Sequence, residues 1–263
     1  YKEILDKSNN KPVTFRTLDI GGDKIANNLD FSWEKERNPF LGLRGLRLSL
    51  RFPRIFLKQL RALLRASVHG PAKIMFPMVS GLSEFIQAKS FLDQAKEELV
   101  YEGIPYQDEI EVGIMIEVPS AALTEDILAR HVDFLSVGTN DLVQYITAAD
   151  RMNPEVSNVY NPYHPAVIKV LREIVQQAHR FDCPVSVCGE LAGDDRYFPL
   201  FVALGIRELS MSTYFISRVK NIIRSLDENN CNNMISEILS METAEQVEAV
   251  LRKRYHAKWQ QCS

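Results

Sequence analysis

Two carboxylates stand where apolar stretches of this sequence stop. Glu117 closes Val112-Gly-Ile-Met-Ile-Glu117, and Asp141 follows Phe134-Leu-Ser-Val-Gly-Thr-Asn140. Each has a plain reading: the strand-end Glu as a helix cap or half of an ion pair, and the Asp after Gly-Thr-Asn as a helix N-cap. Two of them on successive strands point further, because neighbouring strands lie about 5 Å apart and an unpaired buried carboxylate is costly. A hard divalent cation such as Mg2+ removes that cost, taking one or two carboxylates together with substrate oxygens.

Cations that match an anionic substrate are also present. Arg16 opens Arg16-Thr-Leu-Asp-Ile-Gly-Gly-Asp-Lys24, whose paired glycines allow a tight loop that turns Lys24 back toward the site. Arg44 lies between Gly42 and Gly45, and Arg151 follows the helix that Asp141 begins. For any one arginine the plain reading is a surface ion pair; together their planar forks suit phosphate and carboxylate oxygens. Asn140 sets an amide beside Asp141. Cys188, one residue before Gly189, reads either as a small buried hydrophobe or, at the depth of the other candidates, as a proton donor or acceptor.

Positioning these groups requires elements that end near one another. Short β-branched runs at 13–18, 73–79, 112–118, 134–138, 185–191 and 208–211 alternate with helical patterns at about 55–67, 82–101, 120–130, 141–149, 165–181, 196–204 and 213–225. Strand-helix alternation of this kind predicts a parallel α/β sheet. Within the strands one row is continuously apolar and the other small or functional: Val112, Ile114, Ile116 and Val118 against Gly113, Met115 and Glu117. The same reading sets Arg16 on the inner row between Phe15 and Thr17. Polar residues at carboxyl ends of strands suit a (β/α)8 TIM-type barrel, although an open doubly wound sheet places its site at the same ends. The expected division is a barrel over 1–225 and exterior helices over 226–263, with Asn229-Asn-Cys-Asn-Asn233 as a break before them.

Composition narrows the class. The 263 residues are 46% hydrophobic and 25% charged with net charge -3, as in an ordinary globular domain. That balance argues against nucleic acid as a general partner. No run approaches the ~20 apolar residues of a membrane span, and the first residues lack a secretory apolar core, so no membrane partner and a cytoplasmic location are expected. The four cysteines have no paired spacing, which disfavours zinc and disulfides.

Six ordered stretches resemble the phosphoenolpyruvate-binding barrel of Enzyme I, the first phosphotransferase of the bacterial phosphoenolpyruvate:sugar phosphotransferase system. They are Arg16 to Lys24, Asn38-Pro-Phe-Leu-Gly-x-Arg44, Gly113-x-Met-x-Glu-x-Pro119, Phe134-x-Ser-x-Gly-Thr-Asn-Asp-Leu142, Ala149-Asp-Arg151 and Cys188-Gly-Glu-Leu-Ala-Gly-Asp194. Pyruvate phosphate dikinase and phosphoenolpyruvate synthase share the barrel, but the Gly-Gly-Asp-Lys24 loop and Ala-Asp-Arg151 look like Enzyme I. The resemblance implies that Glu117 and Asp141 bind Mg2+. It implies that Arg16, Lys24, Arg44, Asn140 and Arg151 hold phosphoenolpyruvate, and that Cys188 protonates the enolate as pyruvate forms. It further implies a homodimer, and phosphoryl transfer to a histidine on an N-terminal domain and thence to the phosphocarrier protein HPr.

Two departures accompany the resemblance. None of His69, His131, His164, His179 and His256 lies in a stretch like the phosphoacceptor loop. The first residues read as helix, where the family barrel has a preceding strand with a further substrate arginine. The barrel therefore reads as truncated before its first strand, and the alternatives are a pyruvate phosphate dikinase- or phosphoenolpyruvate synthase-like barrel, or a non-catalytic phosphoenolpyruvate-binding or dimerisation module.

Overall fold

The computed structural model describes residues 1–21 and 36–260, with side chains through residue 255. Lys24 lies outside the described residues. The chain divides into two compact units, Tyr1–Met115 with His131–Phe134, and Ile116–Arg130 with Leu135–Ser263.

In the first unit three strands run parallel: β1 (Val13–Arg16), β2 (Ala72–Phe76) and β3 (Glu111–Ile116), whose last residue opens the second unit. Phe15 stands opposite Ile74, and Ile74 opposite Val112. Both side-chain rows of β3 are buried beyond Glu111, as in a parallel sheet covered on both faces. Helices α1 (Lys2–Lys7), α2 (Gly45–Arg51), α3 (Pro53–Ser67) and α4 (Leu82–Tyr101) surround these strands. Helix α3 starts at a proline, whose fixed φ and missing N–H suit a first helical turn. It then buries Phe56, Leu60, Leu63 and Leu64 at helical spacing. Phe56 meets Phe76 of β2 edge to face at 5.8 Å. Each such side chain removed from water contributes ~1.5–3 kcal/mol before entropy is counted.

The second unit repeats the pattern with β4 (Leu135–Gly138), β5 (Val185–Cys188) and β6 (Glu208–Ser210), again parallel. Val137 stands opposite Val187, and Gly138 opposite Cys188. Helices α5 (Pro119–Ala122) and α6 (Glu125–Leu128) precede β4, while α7 (Thr139–Thr147), α8 (Pro165–Arg180) and α9 (Phe198–Leu204) run between the strands. After β6 come α10 (Thr213–Ser225), α11 (Glu228–Leu239) and α12 (Ala244–Gln260). Helix α8 shows how sequence makes structure here. The His164 ring accepts the Ala166 N–H, Pro165 sits at the first turn, and Val167, Ile168, Leu171, Ile174, Val175 and Ala178 form the buried stripe.

The fold is thus α/β with parallel strands. Six strands lie among the described residues, short of a closed eight-strand barrel. Two expectations are corrected. Residues 229–233 are not a break, because α11 runs through them. The Asp227 side chain caps the Asn230 N–H at 2.8 Å, and Cys231, Met234 and Ile238 bury one face, so capping and core contacts override the weak helix propensity of asparagine. Arg16 is not enclosed either, since its side chain is 46% exposed.

Candidate functional site

In the second unit β4 runs into α7 with no loop between them, because Gly138 ends the strand and serves as the helix N-cap residue. Thr139, Asn140 and Asp141 therefore form the first helical turn. Asp141 is not the cap that its sequence context suggested; it is the third helical residue, where a carboxylate is favoured by the helix dipole.

That first turn grips the end of β5. Thr139 Oγ1 donates to the Cys188 carbonyl at 2.8 Å, and the Glu190 N–H donates to Asn140 Oδ1 at 3.0 Å. Gly189 lies between these anchors at φ 100°, a conformation that favours glycine. A Cβ there would stand 2.6 Å from Thr139 Oγ1 and 2.8 Å from Asn140 Oδ1, so no larger residue fits. With Oδ1 committed to a backbone donor, Asn140 has its amide NH2 to offer a ligand. Cys188 is half-buried, with Sγ 3.5 Å from the Val137 carbonyl oxygen.

Asp141 is 6% exposed and Glu117 is 2% exposed. Arg151 Nη1 donates to Asp141 Oδ1 at 2.8 Å, and the Arg151 N–H donates to the Gln144 side chain at 3.2 Å. Ala148, in the left-handed region at φ 52°, ends α7 and turns the chain so that Arg151 comes back over that helix. Tyr160 donates its hydroxyl to the Asn140 carbonyl at 3.4 Å. Burial pushes its phenol up to about 12, against the pull of Arg151 and with smaller upward pushes from Glu190 and Asp141. The hydroxyl thus stays protonated, as a donor. Asn140, Tyr160, Glu190 and Asp194 line a cavity of about 120 Å³ beside this turn.

The first unit carries a cluster of two arginines around Asp19. Arg16 Nη1 lies 3.0 Å from Asp19 Oδ2, and Arg44 Nη2 lies 3.3 Å from Asp19 Oδ1. Arg44 is 8% exposed, with its guanidinium 5.9 Å from the Phe40 ring centroid. The Thr17 hydroxyl, next to Arg16 in the chain, is buried without a hydrogen-bond partner among the described residues.

The structure therefore groups Asn140, Asp141, Arg151 and Cys188 within one unit and Arg16 with Arg44 in the other. Thr139, Tyr160 and Asp19 were given no part by sequence reasoning. Thr139 and Asp19 lie inside motifs noticed for their neighbours, whereas Tyr160 carries no local signal.

Among the described residues no group of three or more His, Cys, Asp or Glu side chains is placed to hold a metal. Mg2+ does not require one, since it takes one or two carboxylates and fills its octahedron with water and phosphate oxygens. Glu117 and Asp141 supply buried hard oxygen donors. Helix α5, which starts two residues after Glu117, contacts α7, which carries Asp141. The donor chemistry fits.

Residues 1–228 match the model of the PEP-utilising enzymes' PEP-binding domain. The chain belongs to that family. Among PEP-utilising relatives, the phosphoenolpyruvate-protein phosphotransferase of Priestia megaterium is 46% identical over 256 residues, covering 97% of this chain and 44% of the relative. The Bacillus subtilis enzyme of that name is 46% identical over 255 residues, with the same coverages. That of Lactococcus lactis subsp. lactis is 46% identical over 256 residues, 96% of this chain and 44% of its own. The chain thus spans under half the length of these relatives. A crystal structure of a citrate lyase from Burkholderia xenovorans superposes with a TM-score of 0.50 at 19% identity, over 77% of this chain and 69% of that one. This places the PEP-binding domain in the same α/β fold and carries no functional weight. Among the described residues no helix is long and apolar enough to cross a membrane.

Proposed function

We propose that this chain is the phosphoenolpyruvate-binding part of a phosphoenolpyruvate-protein phosphotransferase. One observation carries the reading: a buried acid, its arginine partner and a half-buried thiol, Asp141, Arg151 and Cys188, come together at the ends of β4 and β5 in a chain of this family.

In this reading Arg151, with Arg16, Arg44 and Lys24, binds the phosphate and carboxylate of phosphoenolpyruvate, and the Asn140 NH2 group donates to it. Glu117 and Asp141 hold Mg2+, which when bound neutralises charge on the phosphoryl oxygens. The bond from phosphorus to the enol oxygen breaks as a bond from phosphorus to a histidine nitrogen of another domain forms, leaving the enolate of pyruvate. Cys188 then protonates C3. Its S–H bond breaks, the enolate double-bond pair enters the new C–H bond, the C2 oxygen becomes the ketone, and the thiolate regains a proton from solvent. The wider expectations of an eight-strand barrel, a homodimer, a cytoplasmic setting and HPr downstream belong to the same proposal.

The test is single-turnover pyruvate release. This chain is mixed with phosphoenolpyruvate, Mg2+ and the N-terminal portion of the Bacillus subtilis relative as acceptor, and pyruvate is followed by coupled reduction to lactate. The expected result is one pyruvate per acceptor, dependent on Cys188. No release above the acceptor-free background would contradict the proposal.

A further inference from the structure

Cys188 is the last residue of β5, so its carbonyl is the last acceptor of the strand and the chain beyond it turns at a glycine. A glycine pivot is permissive, and nothing in its own conformational preferences would keep the thiol in one place. What restrains it comes from β4 and α7. Strand pairing brings Gly138 opposite Cys188, the Thr139 hydroxyl holds the Cys188 carbonyl at 2.8 Å, and Asn140 Oδ1 holds the Glu190 N–H at 3.0 Å. Both peptide groups flanking Gly189 are thereby tied to the helical turn that also presents Asp141. A Cβ on residue 189 would stand 2.6 Å from Thr139 Oγ1, so the Thr139 hydroxyl sits directly against the glycine turn.

We infer that Thr139 is a positioning residue for the proton-transfer step: its hydroxyl fixes the Cys188 peptide, and thereby the thiol, relative to the substrate-binding turn of α7. This rests on the reading of Cys188 as proton donor, and it adds a residue to which no catalytic part had been given. Proton transfer needs donor and acceptor within hydrogen-bond reach, and a misplacement of about 1 Å can lower a rate by ~10²-fold. Binding of phosphate and carboxylate is served by other side chains. Loss of the hydroxyl is therefore expected in the proton-transfer rate and not in affinity. A residue that merely supports the fold would lower both together.

The experiment uses this chain without an acceptor, following exchange of pyruvate methyl protons for deuterium by NMR in the presence of Mg2+. Wild type, Thr139→Val, Thr139→Ser and Cys188→Ala are compared, and the affinity of each for phosphoenolpyruvate is measured by calorimetry. In Thr139→Val, which keeps the volume and loses the hydroxyl, the exchange rate falls by about tenfold or more while affinity stays within about twofold. Thr139→Ser restores exchange and Cys188→Ala abolishes it. Wild-type exchange in Thr139→Val alongside a silent Cys188→Ala overturns the inference and leaves the reading of Cys188 standing. Undiminished exchange in Cys188→Ala, or none in the wild type, overturns that reading and the inference with it. Alkylation of Cys188 by iodoacetamide, located by peptide mass spectrometry, gives a readout without turnover. Thr139→Val should accelerate it more than about threefold by freeing the turn, and an unchanged rate counts against the latch.

Discussion

Arg151 and Asp141, ten positions apart in the chain, meet as an ion pair with Nη1 2.8 Å from Oδ1. The aspartate side chain is 8% exposed and the arginine 24%, so the pair is shielded from solvent and removing either member leaves a charge in a poorly hydrated place. A carboxylate held by a guanidinium is also poised to share its oxygens with a cation once an anionic substrate draws the arginine toward its phosphate. In the proposed function Asp141 has both duties.

Asp141→Asn keeps the shape and removes the charge. Magnesium-dependent affinity for phosphoenolpyruvate should fall by more than tenfold, which corresponds to about 1.4 kcal/mol. Unchanged affinity by calorimetry would remove Asp141 from the metal site.

Gly189→Ala forces a side chain into the left-handed region at φ 100° and places its Cβ 2.6 Å from Thr139 Oγ1. A loss of ~1–3 kcal/mol in urea unfolding is expected from the strained conformation. Gly81→Ala is the control. Gly81, the N-cap residue of α4, is extended with nothing within 4 Å of a Cβ; alanine is a poorer N-cap than glycine, so a loss of no more than about 1 kcal/mol is expected.

Asp227→Ala removes the cap of α11, whose side chain accepts the Asn230 N–H at 2.8 Å. The expected loss is ~1 kcal/mol, read as a lower urea midpoint with an unchanged slope. An unaltered midpoint would mean that the packing of Cys231, Met234 and Ile238 alone holds the helix start.

Glu125 is 4% exposed, and its Oε2 is buried without a hydrogen-bond partner among the described residues. Burial raises its carboxyl above the usual value, opposed by a backbone hydrogen bond within the residue and with smaller upward pushes from Glu173 and Asp126. A group that binds its proton more tightly when folded stabilises the protein while protonated, and that contribution is lost as pH rises through the folded value. Glu125→Gln should therefore raise stability at pH 7 and change it little at pH 4. Equal effects at both values would show that Glu125 pays no penalty for ionising.

The elements were legible where one periodicity dominated. Strands at 13, 73, 112, 134, 185 and 208, and helices at 82–101 and 165–181, follow from patterns strong enough to outweigh local exceptions. Failures arose where a distant or unlikely partner decided the outcome. The asparagines before Asn233 resemble a linker until the Asp227 cap and the burial of Cys231 are seen. Arg16 was placed on the inner row from strand alternation alone, yet Asp19, three residues on, pairs with it at the exposed strand end. Asp141, Arg151 and Cys188, which the structure places in one unit, could be named as candidates from residue type and position. Thr139 could not be given its part, because the carbonyl it holds is 49 positions away, and Tyr160 reaches a carbonyl 20 positions back with no motif around it.

The most direct test of the central claim is calorimetric titration of this chain with phosphoenolpyruvate, with and without Mg2+. Saturable binding at one site per chain, present with Mg2+ and weakened at least tenfold without it or in Asp141→Asn, is the predicted result. Absence of binding with Mg2+ present, or binding indifferent to both the metal and Asp141, would contradict it.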